Sequence, residues 1–126
     1  RLIFDSRAVF ASDSDDPATL EAKARKPRLP VHALALGQKP AVRFIGGMDN
    51  QANLGFLQPW LEKCVQWLAE GREPMLFMHT PDNRLAPELA RLFLQQLAER
   101  VPGLESMPLW PGECEAAEQP VQDALF

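Results

Sequence analysis

Charged and imidazole side chains stand where three short apolar runs end or are interrupted. Asp5 and Arg7 lie two apart after the first run, Arg43 interrupts the second, and His79 ends the third with Asp82 close behind. In parallel α/β folds, ligands gather at the carboxyl ends of the strands. These residue types predict a site for a small anionic or phosphorylated ligand. Arg7 and Arg43 would bind the ligand, and Asp5, His79 and Asp82 are candidate acid, base or metal-binding groups.

A structural alternative exists for the same residues. Charges placed within apolar strands need partners, because an unpaired buried charge is costly. Asp5 could form an ion pair with Arg43 that only fills the mouth of a barrel. His79 would then be a hydrogen-bonded histidine of the core or rim. The residues alone leave both interpretations open, and they do not decide whether the protein is an enzyme.

A glycine pair follows the second apolar run directly. Gly46 and Gly47 would let backbone amides approach a phosphate at the start of the next element. A tight turn without any ligand explains the same pair, since no Lys, Ser or Thr stands at phosphate-loop spacing. Only His32 and His79 are available as imidazole ligands, so the sequence predicts no metal site and identifies no cofactor.

The last five residues end a proline-rich tail with two large apolar side chains. Gln122, Leu125 and Phe126 are similar to the short peptide by which bacterial polymerases and repair proteins dock on the DNA sliding clamp, although Asp123 stands where Leu is common. The alternative is that the pair folds back onto its own domain. The sequence therefore predicts either an interaction protein that docks on the clamp or a self-packed tail.

The elements that must position these residues follow from hydrophobic periodicity. Apolar runs at 2–4, 41–45 and 75–78 read as strands without alternation, which is typical of a parallel sheet covered on both faces. Helices are predicted from Asp16-Pro17 to Lys26, at 56–70 with Pro59 in its first turn and Gly71 as cap, and at 85–100 with Asp82 or Asn83 as cap. Strands alternating with helices predict βαβ units. Residues 1–100 would form the α/β domain and 101–126 a tail.

Composition excludes several classes of protein. The 126 residues have 46% hydrophobic side chains and a formal net charge of -4, the wrong sign for coating nucleic acid, so no direct nucleic-acid binding is expected. No apolar run reaches the roughly 20 residues that span a bilayer, and no signal peptide is visible. Two cysteines without metal-ligand spacing, with Cys64 on an apolar helix face, favour a cytoplasmic protein.

Four separated segments together resemble one family. Phe4–Arg7, Lys26–His32, Val42–Gly46 and Leu76–Asp82 agree in order and spacing with the bacterial YecE-like family, domain of unknown function 72. The resemblance implies a TIM-type (β/α) barrel about twice this length, with this chain similar to its C-terminal half and holding about three parallel strands. It implies no substrate. A half-barrel with open sheet edges would be expected to form a homodimer.

Overall fold

The computed structural model describes residues 2–26, 37–105 and 107. Seven elements follow one another in these ranges: β1 (Leu2–Asp5), α1 (Arg7–Ala11), α2 (Pro17–Arg25), β2 (Ala41–Ile45), α3 (Asn50–Ala69), β3 (Met75–His79) and α4 (Ala86–Arg100). The fold is α/β, as expected. The candidate docking residues Gln122, Leu125 and Phe126, and nearly all of the predicted tail, lie outside the described residues.

The three strands form one parallel sheet in the order β1-β2-β3. Phe4 lies beside Arg43, which lies beside Phe77, and Ile45 lies beside His79. Neighbours in this register point to the same face of the sheet, because side chains alternate along each strand. Phe4, Arg43, Phe77 and His79 therefore share one face, which we call the open face. The prediction of three parallel strands is confirmed.

The opposite face of the sheet is covered by α3 and α4. Val42 and Phe44 of β2 belong there to one buried cluster with Trp60 and Trp67 of α3, whose ring centroids lie 6.3 Å apart. The other large members of this cluster are Ile3, Leu54, Leu57, Leu61, Leu89, Phe93 and Leu97. Cys64 is also buried in this cluster, where desolvation raises its pKa to about 12. A thiol held protonated in this way packs as an apolar group.

The open face lacks such a cover within the described residues. Leu2, Met75 and Phe77 are exposed by 49%, 45% and 46%. Helices α1 and α2 reach only one end of this face, where Val9 and Ala22 pack on Ile45. The expectation of a sheet covered on both faces is therefore confirmed for one face only within the described residues. Apolar side chains on the two faces look alike in sequence, so continuity of the run could not reveal which face was covered.

Helix α3 begins six residues earlier than predicted. The Asp49 side chain caps it by accepting the N–H of Gln51 at 2.9 Å, so Pro59 lies inside the helix and not in its first turn. The predicted end is confirmed, since Gly71 is left-handed with φ of 78°. Its N–H bonds Leu68 O and the next N–H bonds Trp67 O, which closes the helix with the pair of bonds typical of a Schellman motif.

The starts and caps of the other helices agree in part with those predicted from the sequence. Asp16 caps α2 by accepting the N–H of Ala18, with Pro17 at its first position as predicted. Helix α4 begins close to its predicted start, but neither Asp82 nor Asn83 caps it, because both side chains bind backbone N–H groups within the preceding turn. The sequence does not predict the short α1, since its five residues give no helical period.

Candidate functional site

Asp5 forms a hydrogen-bonded cluster with Arg7 and Trp60 on the covered side of the sheet. Its carboxylate accepts bonds from Arg7 Nε at 2.9 Å, Arg7 Nη2 at 2.8 Å and Trp60 Nε1 at 2.6 Å. The chain makes this pairing locally, because β1 ends at Asp5 and α1 begins at Arg7. The hypothesised ion pair between Asp5 and Arg43 is not formed.

The environment of Asp5 holds it ionised. Burial alone would raise its pKa, but the hydrogen bonds from Arg7 and Trp60 outweigh burial and lower the pKa below the usual value. The same pairing raises the pKa of Arg7. A carboxylate with both oxygens occupied and a lowered pKa is poorly suited to proton transfer near neutral pH. The cluster therefore fits a structural role.

The backbone N–H groups of the glycine pair are hydrogen-bonded to nearby residues of the chain. Gly46 N–H donates to His79 O at 2.7 Å, and Gly47 N–H donates to Asn53 Oδ1 at 2.8 Å. Asn53 Nδ2 returns a bond to Gly47 O at 2.9 Å. A Cβ on Gly46 would lie 2.7 Å from Asn53 Nδ2, so the close approach requires glycine. With both amides occupied, the pair has no free donor for a phosphate in this conformation.

Arg43 is the charged residue of the open face without a charged partner. It forms no ion pair within the described residues, and its buried Nε atom has no hydrogen-bond partner there. Its guanidinium carbon lies 5.9 Å from the centroid of the Phe4 ring, which is a cation–π distance. Most buried polar atoms in proteins are bonded, and this nitrogen belongs, with the hydroxyls of Thr19 and Thr80, to the few described ones without a hydrogen bond.

His79 lies beside Ile45 at the same end of the sheet. Its pKa is lowered, first by burial and then by the positive charges of Arg43 and Lys26, while a hydrogen bond with Asn83 acts in the opposite direction. The imidazole is therefore neutral at pH 7. Like Arg43, Lys26 forms no ion pair among the residues the structure describes. Two cations thus act on one neutral histidine.

Asp82 lies apart from this group. It is exposed in the turn after β3, and its carboxylate accepts the N–H of Arg84 at 3.0 Å. The predicted site residues therefore fall into three separate groups. Asp5 and Arg7 form one cluster, and Gly46 and Gly47 form a hydrogen-bonded loop. Arg43 and His79 form the group on the open face. The described residues contain no group of three side chains that could hold a metal ion.

Sequence reasoning missed Trp60, Asn53 and Lys26 as members of these clusters. Asn53 had a detectable signal, since it stands four residues before Leu57 and therefore on the buried stripe of α3. A polar residue on that stripe indicates a hydrogen-bonded role once the helix is known to begin at Asn50. No sequence signal indicated the roles of Lys26 and the Trp60 indole, because their partners lie far away in the sequence.

A cavity of about 180 Å³ lies where α1 and the start of α3 approach each other. Ser12, Asp13, Asp49 and Phe56 contribute to its wall. Of the predicted site residues, Gly47 alone lines it. The cations of the open face do not, so this cavity is separate from the Arg43 group.

These features define an α/β protein in which Arg43 of β2 and Lys26 lie near His79 at the end of β3 and form no ion pair with any described residue. The family described as "Protein of unknown function DUF72" matches residues 2–113, and the chain belongs to it. Its resemblance to the YecE-like family is thus confirmed. No helix in residues 2–26 and 37–105 has the length and apolar character that would let it cross a membrane.

Two curated relatives are similar over most of this chain. Both are named UPF0759 protein YecE: the one from Escherichia coli strain K12 is 39% identical and the one from strain O157:H7 is 38% identical, each over 111 residues. The match covers 88% of this chain and 40% of each relative, so the chain spans well under half of their length. No solved structure gives a significant match.

Proposed function

We propose that this chain forms part of a TIM-type barrel that binds a small anionic or phosphorylated ligand at its strand ends, and that Arg43, Lys26 and His79 hold this ligand. The parallel strands follow one another in chain order with their long helices on one face, which is the arrangement of a (β/α) barrel. The relatives are long enough to supply further strands.

The proposal rests on the Arg43 Nε atom, which has no hydrogen-bond partner within the described residues. An arginine that is partly buried and lacks a carboxylate loses hydration without compensation, unless an anion occupies the site. Its guanidinium can bind phosphate or carboxylate with two parallel bonds. Lys26 adds a second positive charge to the same neighbourhood. Arg7, which the sequence also favoured, is paired with Asp5 and is left out of the ligand's contacts.

His79 is the candidate acid or base in this proposal. A neutral imidazole next to a bound anion can accept a proton from it or donate a hydrogen bond to it. Asp5 is assigned a structural role, and Asp82 stays a candidate group at the rim.

The test is phosphate binding by the intact protein that contains this chain, measured by titration calorimetry. Arg43→Gln should weaken binding of inorganic phosphate by about tenfold or more, the scale of one lost charge-assisted contact. Arg100→Gln makes the same charge change at the exposed end of α4 and should leave the affinity unaltered. Equal affinity in wild type and Arg43→Gln, or no binding by wild type, would refute the proposal.

A second readout does not depend on any ligand. Removing the positive charge of Arg43 should raise the pKa of His79 in an NMR titration, without restoring the ordinary value, because burial is the larger cause of the shift. His32 is the other histidine of the chain and serves as an internal reference. An unchanged His79 pKa would show that the two groups do not share a site.

The clamp-docking hypothesis is a separate proposal that rests on sequence alone. Gln122, Leu125 and Phe126 would dock the protein on the bacterial sliding clamp, and a cytoplasmic location goes with this hypothesis. Micromolar binding to purified clamp that disappears when Leu125 and Phe126 are removed would support it. Clamp binding that is absent in the intact protein, or that survives the truncation, would exclude it.

A further inference from the structure

We propose that the ligand of the Arg43 site carries a planar, aromatic group next to its anionic group. This inference rests on the proposed function and specifies the class of ligand. It starts from the row of three side chains that crosses the open face: Phe4, Arg43 and Phe77, which are direct neighbours in the strand register.

The two phenyl rings of this row differ in how much of their surface is exposed. Phe4 is partly buried, packs against the small cluster at the end of the sheet, and carries the Arg43 guanidinium over its ring at 5.9 Å. Phe77, on the other side of Arg43, is 46% exposed. An exposed phenyl ring beside a guanidinium that has no ion pair within the described residues offers a flat apolar surface and a positive charge on adjacent strands, whose spacing is about 5 Å.

A ligand that uses both features needs two parts. Its anionic group would bond the guanidinium of Arg43, and its ring would lie against Phe77. Aromatic rings favour offset or edge-to-face contact with phenyl rings beyond what burial of area provides, so a planar ring fits this surface better than an alkyl group of similar size. Arginine also stacks on flat π-systems, which adds a second contact for the same ring.

Further along the open face, Leu2 and Met75 form the next row toward the strand starts. In TIM-type barrels, ligands bind at the strand ends, and deeper rows of side chains fill the barrel. His79 and the Arg43 row lie nearer the strand ends than Met75 does. We therefore assign the ligand ring to Phe77 and not to Met75, which gives the experiment its matched control.

The experiment compares three probes on the intact protein: inorganic phosphate, phenyl phosphate and cyclohexyl phosphate. Phenyl phosphate should bind about tenfold more tightly than inorganic phosphate, and cyclohexyl phosphate should lie between them. Phe77→Leu should remove most of the advantage of phenyl phosphate while leaving the affinity for inorganic phosphate unchanged. Met75→Leu should change neither value.

A spectroscopic measurement covers the case in which a variant folds poorly. Adding phenyl phosphate to the wild-type protein should shift the ring proton signals of Phe77, whereas inorganic phosphate should shift signals of Arg43, Lys26 and His79 but leave those of the Phe77 ring in place. If phosphate binds through Arg43 but phenyl phosphate binds no more tightly, the ligand-class inference is wrong and the proposed anion site stands. If no probe binds to the wild type, both fail together.

Discussion

At the scale of single residues, Asp5 and Arg43 are both charged residues of apolar strands, but they differ in whether their buried polar atoms are hydrogen-bonded. Asp5 is fully buried and satisfied by Arg7 and Trp60, whereas Arg43 keeps a buried nitrogen without a partner in the described part of the chain. A buried carboxylate that accepts charge-assisted bonds stabilises the fold only while it is ionised. Asp5 is therefore expected to contribute to stability in a pH-dependent way.

The first prediction concerns Asp5→Asn. Because the pKa of Asp5 in the folded protein lies below its ordinary value, its contribution is present above that ordinary value and is lost as the pH falls through the folded pKa. The variant should lose about 1–3 kcal/mol of unfolding free energy at pH 7, as expected when a buried bonding partner is weakened.

Urea denaturation at several pH values measures this effect. The difference between wild type and variant should shrink as the pH is lowered below the pKa range. Asp15→Asn changes an exposed carboxylate and should cost little at any pH. A stability difference that stays constant from neutral to strongly acid pH would contradict the assigned role of Asp5.

At the scale of elements, the β2–α3 connection depends on close backbone approach. Asn53 of α3 bonds both the N–H and the carbonyl of Gly47, and its amide sits directly over Gly46. The Gly46 N–H also bonds the last residue of β3, so one loop joins the sheet to α3. We therefore expect this loop to tolerate side chains poorly and helix α3 to tolerate them better.

The second prediction compares two Gly→Ala substitutions of opposite sign. Gly46→Ala places a methyl group against the buried Asn53 amide and should destabilise the fold by about 1–3 kcal/mol. Gly55 lies within α3, and a methyl group added there would meet no described atom within 4 Å, so Gly55→Ala should stabilise by about 0.5–1 kcal/mol through helix propensity. Thermal unfolding of both variants measures this. Equal effects at the two sites would show that the Asn53 contact does not restrict Gly46.

At the scale of the whole molecule, the sheet has one covered face and one open face. Leu2, Met75 and Phe77 form an exposed apolar surface there, and exposed surfaces of this kind favour association. Strands β1 and β3 are also the edges of the sheet in the described part of the chain. Unpaired strand edges favour pairing with another chain.

The third prediction is that the 126-residue chain, produced alone, forms a homodimer through this face. Replacing Met75 and Phe77 with Lys should shift the sedimentation profile to monomer, because two like charges would have to be buried against the partner. Leu20→Lys alters an equally exposed apolar residue on α2, away from the sheet, and should leave the dimer intact. A wild-type chain that sediments as a monomer at high concentration would refute this prediction.

Most of the local structure followed from interactions between residues that are close together in the sequence. The three strands, the capped start of α2, the end of α3 at Gly71 and most of α4 agree with the predictions. These features depend on hydrophobic period, capping side chains and glycine conformation, all of which act within a few residues along the chain. The family resemblance likewise depended on short segments and their order.

Which charged groups meet depended instead on the packing of elements that are distant in the sequence. Asp5 bonds Arg7 and an indole 55 residues away in the sequence, while Arg43, two residues from the end of its own strand, faces the other side of the sheet. Which face a strand residue occupies relative to the helices depends on how the crossovers pack, and apolar strands carry the same residue types on both faces. The covered face, the open face and the lack of an ion pair for Arg43 among the described residues therefore became visible only when the elements were packed together.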